Sequence, residues 1–257
     1  MTLHTSVDET SPGKIFPILV WVRVLVHVLA GVFTLSFIFP FISQSQKDRK
    51  IRLWSERLLN IFKLKLVVIG RENVTSAPAL FAANHISWLD IHAINACKPI
   101  RFVAKSEVRS WPIFGWMAKQ LGTVFIRRDS ARHARQVVEQ MAEVLKTESI
   151  CIFPEGTSTN GAQVLPFKPN LFESALAAKC PIYPLSIRYF SRRTGLRSDS
   201  PAFIGDMGLL ESMSRVIQDP GLVVQVRFLM PYAPSILGDS DRKQVAAYCQ
   251  ESIAQTL

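Results

Sequence analysis

The sequence contains no Walker A loop, no G-x-G-x-x-G turn and no H-E-x-x-H helix. That removes the common phosphate cradles of nucleotide enzymes and the common zinc-hydrolase ligand pair. G-x-S-x-G is also missing. The nearest approach, Gly156-Thr157-Ser158-Thr159-Asn160, has no closing glycine, which argues against a serine acyl-enzyme at Ser158. The four cysteines (Cys97, Cys151, Cys180 and Cys249) form neither C-x-x-C nor any metal-ligand spacing. Cys151 lies in the apolar run "SICIF" and reads as a buried structural thiol; reduced thiols suit a cytoplasmic catalytic side. There are no internal repeats, no low-complexity tract and no long linker.

Charge is sparse and one-sided. Charged residues make up 19% of the 257 residues against 48% hydrophobic, and 30 Lys and Arg face 20 Asp and Glu, for a net charge of +10. A basic balance suits nucleic acid or anionic lipid. A nucleic-acid binder would carry a recognisable reading module, and none is present. A membrane binder would carry apolar runs flanked by Lys and Arg, and this pattern is present. Residues 15–42, "IFPILVWVRVLVHVLAGVFTLSFIFPFI", include nineteen residues between Arg23 and Ser43 with His27 as their one ionisable group. As a helix these span about 28 Å, near the thickness of a bilayer core. The run is too long for a signal-peptide core and no small-residue cleavage site follows it.

Asp8, Glu9 and Lys14 precede the run, and Lys47, Arg49, Lys50, Arg52 and Arg57 follow it. That bias would hold residues 43 onward on the cytoplasmic side of an inner membrane. Residues 50–63 then place Ile51, Trp54, Leu58, Leu59 and Phe62 near one helical face. Such a stripe serves an interfacial helix or one docked on the protein's own core. The two segments also suit a hairpin dipping into one leaflet, bent at Pro17 and Pro40.

After residue 63 short β-branched runs alternate with helical stretches. Strands are expected at 65–70, 79–84, 100–105, 123–127, 149–153, 182–187 and 223–229. Helices are expected at 88–96, 112–121, 131–146 (capped by Asp129 or Ser130), 171–179 (capped by Asn170, with Glu173 three residues on) and 241–255 (capped by Ser240 or Asp239). Residues 191–200 read as an exposed loop. The fold expected is α/β, a mostly parallel sheet covered by helices, with an N-terminal hydrophobic membrane-associated helical segment. Residues 1–63 form that segment and 64–257 the catalytic domain.

Three stretches carry candidate chemistry. In "NHISWLD", His85 and Asp90 are five apart, about 140° around a regular helix, so they share no helical face. They meet if the helix begins between them. Ser87-x-x-Asp90 has the form of a cap; Asp90 then sits in the first turn, and His85, in the preceding turn, folds back toward it. The carboxylate would fix the imidazole tautomer and leave the other nitrogen as a base. In "FPEGTSTNG", Glu155 lies at a strand's carboxyl end, where α/β sheets hold ligands, and Gly156 permits close backbone approach. In "GTVFIRRD", Arg127 ends an apolar strand with a phosphate-binding group. Lys105 and Lys168 also follow strand or loop ends, and Lys105 is a candidate phosphate contact by charge and position.

In order, "NHISWLD", "GTVFIR", "FPEGT" and "CPIYPLSI" resemble the four sequence blocks of the glycerolipid acyltransferase family, which includes bacterial 1-acyl-sn-glycerol-3-phosphate acyltransferases and other lysophospholipid acyltransferases. The resemblance covers roughly residues 80–188. It implies transfer of a fatty acyl group from acyl-CoA or acyl carrier protein to the free hydroxyl of lysophosphatidate. His85 would be the general base and Asp90 its orienting carboxylate, with direct attack on the thioester. It further implies that Arg127, Glu155, Gly156 and Thr157 hold the acceptor head group, and that no cofactor or metal is required. A membrane lipid acceptor, a cytoplasmic acyl carrier and an anionic membrane surface are the implied partners. Lyso-ornithine lipid or another lysophospholipid is the alternative acceptor. A thioesterase and an inactive membrane-anchored lipid-binding protein are the other readings. The chain departs from the family after "FPEGT", where Ser158-Thr159 follow, and after "FK", where Pro169-Asn170 replace a common glycine.

Overall fold

The computed structural model describes residues 15–126, 131–232 and 241–257. Seven strands form one sheet: β1 (Lys65–Ile69), β2 (Leu80–Ala83), β3 (Arg101–Lys105), β4 (Val124–Ile126), β5 (Ile150–Ile152), β6 (Ile182–Ser191) and β7 (Leu222–Phe228). Their order is β1-β7-β6-β2-β5-β3-β4. Every neighbouring pair is parallel except β6 with β7. All seven expected strands are present, because each is a short β-branched or aromatic run bounded by turn residues. β6 runs four residues beyond its expected end, since its antiparallel pairing with β7 continues to Ser191↔Leu222.

Alternation along the strands builds two cores. Phe81 and Ala83 of β2 face one layer with Tyr183, Leu185, Ile187 and Tyr189 of β6. Leu80 and Ala82 face the other with Ile150, Ile152 and Ile182. The first layer is covered by α1 (Ile15–Phe33), α2 (Gln44–Ile61), α3 (Leu89–Cys97) and α7 (Leu209–Gln218). The second is covered by α5 (Ala131–Leu145), α6 (Glu173–Ala178) and α8 (Arg242–Ala254). The short α4 (Phe114–Gln120) follows β3 and a 3-10 turn at Ser106–Ser110. The central strand β2 is fully buried on both faces, as expected of a strand roofed by helices on both sides.

The apolar N-terminal run is helical as expected. α1 continues through a π-helical turn at Thr34–Ile38 and a 3-10 turn at Phe39–Phe41 that contains Pro40. Pro17–Phe41 is long and apolar enough to cross a membrane, and 33% of its most apolar window is buried in the protein. Its outward face is bare: Ile18, Val22, Leu25, Val26, Leu29, Phe33, Phe37 and Phe41 are all more than half exposed.

α2 starts at Gln44, before the apolar stripe, because a capping box at Ser43 and Gln46 satisfies its first turn. The stripe docks on the protein's own core. Leu58, Leu59 and Phe62 are buried with α3 and the sheet, at about 1.5–3 kcal/mol each for burial of such side chains. His27 of α1 stacks on Trp54 of α2 at 4.4 Å between ring centroids, and Trp54 contacts His92 of α3 at 5.3 Å. An aromatic seam thus ties the N-terminal segment to the helix that carries Asp90. Burial pushes the His92 imidazole down to about 3, with His27 adding a smaller push, so His92 stays neutral in that seam.

Other expectations needed correction. Asn170 does not cap a helix: Pro169–Phe172 form a 3-10 turn and α6 begins only at Glu173, because Pro169 fixes its φ and starts the turn one residue earlier. α4 begins at Phe114 rather than Pro112. α7 was not expected from the sequence, yet it buries Met213, Val216 and Ile217 on one face. α8 takes Asp241 as its cap, accepting from Lys243 N; Asp239 and Ser240 lie outside the described residues, as do Asp129 and Ser130 before α5 and Asp8, Glu9 and Lys14 near the start of the chain. Residues 191–200 form a mostly exposed turn, closed by a bridge between Phe190 and Arg197.

Candidate active site

The site forms at the carboxyl ends of the adjacent strands β2 and β5. β2 ends at Ala83, and the next residue continues the sheet by its side chain. The buried Asn84 amide donates to Ile187 O at 2.9 Å and accepts from Ile187 N at 2.8 Å, which mimics a ladder pair with β6. This clamp fixes where the chain leaves the sheet and therefore where His85 begins.

His85 Nδ1 stands 2.8 Å from Asp90 Oδ2. Ile86 N and Ser87 N donate to the same oxygen at 2.7 and 2.9 Å, and the Tyr189 hydroxyl donates to Oδ1 at 2.8 Å. Asp90 is fully buried, and these donors replace the water its charge loses. Since Oδ2 acts as acceptor throughout, the His85 proton is assigned to Nδ1. That leaves Nε2 as the lone-pair nitrogen, and the His85 side chain is 22% exposed. Its ring stacks on Phe153 with centroids 4.0 Å apart, which fixes the imidazole plane. α3 begins at Leu89 with Trp88 already in helical conformation. Ser87 Oγ accepts from Leu89 N at 3.3 Å. The helix starts between His85 and Asp90 as expected, but Trp88, not Ser87, is its N-cap and caps with no side-chain bond, because Trp88 already has helical φ and ψ.

The "FPEGT" turn packs beneath this pair. Glu155 is buried, and its two oxygens accept from His85 N at 2.7 Å and Leu165 N at 2.9 Å. Burial pushes its carboxyl above the ordinary carboxylate range, and the bonds from Leu165 and His85 offset that only in part. Thr159 N donates to His85 O at 2.8 Å, and Phe203 N to Ile86 O at 2.9 Å, so the turn bearing His85 is held from three sides. Gly156 has φ +75°, a conformation that glycine adopts without steric cost. The Ser158 hydroxyl donates to Phe203 O, which accords with the missing nucleophile motif.

The candidates divide into two sets. His85, Asp90 and Glu155 form one hydrogen-bonded unit, with Gly156 in the adjoining turn. Thr157 is exposed. Lys105 is exposed at the end of β3, in register with Ile126. β3 is separated from β2 by β5, which puts it about 10 Å from the β2 axis. Lys168 is exposed, and its N–H donates to Pro154 O at 3.0 Å. Arg127 lies outside the described residues. Sequence reasoning did not assign a role to Tyr189, Asn84 or Phe153; Asn84, inside "NHISWLD", and Phe153, opening "FPEGT", had a local signal, and Tyr189 had none. Among the described residues no group of three His, Cys, Asp or Glu side chains is placed to hold a metal ion, and all four cysteines are free and buried.

The family model described as Acyltransferase matches residues 65–188. A lyso-ornithine lipid O-acyltransferase of Pseudomonas aeruginosa is 36% identical over 82% of this chain and 79% of its own length. The chain belongs to the glycerolipid acyltransferase family. Its reaction class is O-acyl transfer. A 1-acyl-sn-glycerol-3-phosphate acyltransferase of Neisseria gonorrhoeae is 38% identical over 63% of this chain and 65% of its own. The crystal structure of a 1-acyl-sn-glycerophosphate acyltransferase from Thermotoga maritima superposes with a TM-score of 0.70 over 94% of this chain and 93% of that one, at 23% identity; it shows the shared acyltransferase fold.

Proposed function

We propose that this acyltransferase moves a fatty acyl group from acyl-CoA or acyl carrier protein to the free hydroxyl of 1-acyl-sn-glycerol-3-phosphate, giving phosphatidate. The observation that carries the mechanism is the 2.8 Å contact between His85 Nδ1 and Asp90 Oδ2, which leaves Nε2 as the lone-pair nitrogen of a partly exposed side chain. His85 Nε2 takes the hydroxyl proton as the oxygen attacks the thioester carbon. The C–S bond then breaks, and the thiolate recovers the proton from the imidazolium. Protons and acyl group balance without a cofactor or metal. General-base help contributes about 10²–10⁴-fold, so the rigid turn must supply much of the rest by positioning.

Glu155 acts through the His85 backbone. Arg127, Lys105 and Thr157 are assigned to the acceptor head group, with Gly156 allowing close backbone approach. The enzyme works at the cytoplasmic face of the inner membrane, with 1–63 as its membrane-associated segment and 64–257 as its catalytic domain; the basic residues 47–57 after the apolar helix support that orientation. An anionic membrane surface and an acidic acyl carrier both suit the net charge of +10.

The name of the Pseudomonas aeruginosa relative favours a second reading, with lyso-ornithine lipid as acceptor. One experiment separates them: purified protein, one labelled acyl-CoA or acyl-ACP, and a panel of lysolipids, with products read by mass. Phosphatidate formed only with lysophosphatidate supports the first reading, and acylated ornithine lipid the second. Free fatty acid alone, unaffected by any acceptor, would reassign the protein as a thioesterase.

A further inference from the structure

The segment after β3 has no task in the mechanism above, and it is built unusually. Within six residues Trp111 is 40% exposed, Ile113 51%, Phe114 38% and Trp116 37%. A folded protein seldom leaves two tryptophans and two large aliphatic or aromatic side chains open together without a partner. The turn that presents them is strained. Ile113 has φ 62° and ψ −60°, and Phe114 N closes on Pro112 O at 2.6 Å. This is a γ-turn of the rare positive-φ kind, adopted by a β-branched residue that ordinarily avoids it. Strain of this sort persists where the surroundings enforce it and clusters at functional positions. Here they do enforce it: a Cβ on Gly115 would meet Arg109 O at 2.4 Å and Val108 O at 2.5 Å, so α4 closes tightly on the preceding 3-10 turn and pushes the apolar side chains outward.

The other face of α4 is packed. Met117 is buried, and its methyl lies 3.0 Å from where a Cβ on Gly31 of α1 would stand. The exposed cluster is therefore next to the helix whose own outward face is apolar and bare. Around it Lys105, Arg109 and Lys119 are exposed, and Glu107 is the one acidic residue between Lys105 and Gln120.

We propose that Trp111–Trp116 is a second membrane-contact element, a wedge seated at the headgroup boundary of an anionic phospholipid bilayer beside α1. Three features select lipid over other occupants: continuity with an apolar helix of membrane-crossing length, tryptophans of the kind that gather at that boundary, and a basic fringe that matches anionic headgroups. The wedge leaves β3 at its carboxyl end, the same end of the sheet that carries His85. It would tilt the catalytic turn toward the bilayer surface, so that a lipid acceptor reaches Nε2 with its acyl chain still immersed. The inference rests on the membrane reading of α1 in the proposed function and is independent of which lysolipid is acylated.

The test uses the full chain in vesicles of phosphatidylcholine with a minority of phosphatidylglycerol. Since the four native cysteines are buried, a single environment-sensitive label is introduced at Ile113→Cys, at Leu25→Cys on α1, and at the exposed control Glu251→Cys on α8. Quenching by lipids brominated near the headgroup end of the acyl chain should be several-fold stronger at the Ile113 and Leu25 labels than at the Glu251 label. Adding Trp116→Asp should bring the Ile113 signal down to the control level and leave the Leu25 signal unchanged. Trp111→Cys provides a second label site should the Ile113 variant fold poorly. Quenching at Leu25 without quenching at Ile113 or Trp111 overturns the wedge while leaving α1 in the membrane. Loss of quenching at all sites overturns the membrane reading itself. Oxidative cross-linking of two copies through the Ile113→Cys thiol, without lipid quenching, would reassign the face to self-association.

Discussion

Tyr189 and Asp90, 99 residues apart in the chain, meet through a 2.8 Å hydrogen bond on the carboxylate that also contacts His85. Burial and the neighbouring carboxylate both push the Tyr189 phenol well above its ordinary range, so the hydroxyl remains a neutral donor. Tyr189→Phe leaves Asp90 Oδ1 without that donor. Stability should fall by about 1–3 kcal/mol, and kcat by about tenfold, equivalent to ~1.4 kcal/mol, with KM little changed. Thermal unfolding and steady-state kinetics on the same sample check this; a KM effect with kcat intact would place Tyr189 in substrate binding instead.

His85→Ala removes the proposed base and should lower kcat by about 10²–10⁴-fold. Asp90→Asn should lose comparable activity, because the amide offers one acceptor where several donors converge. It should also destabilise the fold by roughly 1–3 kcal/mol or more, whereas the His85 change, at a partly exposed side chain, should not. Parallel acyl-transfer assays and denaturant titrations separate the two effects. Full activity in the His85 variant would end the general-base mechanism.

Glu155 makes a prediction in pH. Its folded carboxyl binds a proton more tightly than the unfolded one, because burial raises its pKa. The stability it contributes is therefore present below the ordinary carboxylate pKa and is lost as pH rises through the raised value. The Tm difference between wild type and Glu155→Gln should shrink as pH is taken upward from about 4. A difference that stays flat from there to neutrality sinks the assignment.

The two apolar faces of the N-terminal segment should respond differently. Leu59 is 2% exposed in the shared core, so Leu59→Ala should cost about 2–5 kcal/mol. Leu25 is 59% exposed, and Leu25→Ala should leave stability in detergent nearly unchanged. Equal losses at both positions would mean that α2 is not docked as described.

The strands were legible because each is a compact β-branched run, and the candidate base was legible because a five-residue interval fits no single helical face. What stayed hidden depends on distance in the chain. Nothing near Tyr189 announces Asp90, and no local pattern says that both Glu155 oxygens are engaged by backbone N–H groups rather than left for ligand. The stripe on α2 was equally compatible with lipid and with protein, since both reward the same apolar face. Asn170 carried a cap signature, but Pro169 began the turn first. α7 went unrecognised although Met213, Val216 and Ile217 have helical spacing, because the residues before it read as loop and gave no clear start.

The Asn84 clamp on Ile187 has a temporal consequence. The turn bearing His85 has its exit from the sheet set by a backbone segment made about a hundred residues later. During synthesis, which proceeds from the N-terminus, β2 must wait for β6 before that turn takes its final shape. Until Ile187 is made, Asn84 lacks its partner, although the apolar helix Ile15–Phe33 and the stripe on α2 are by then already complete.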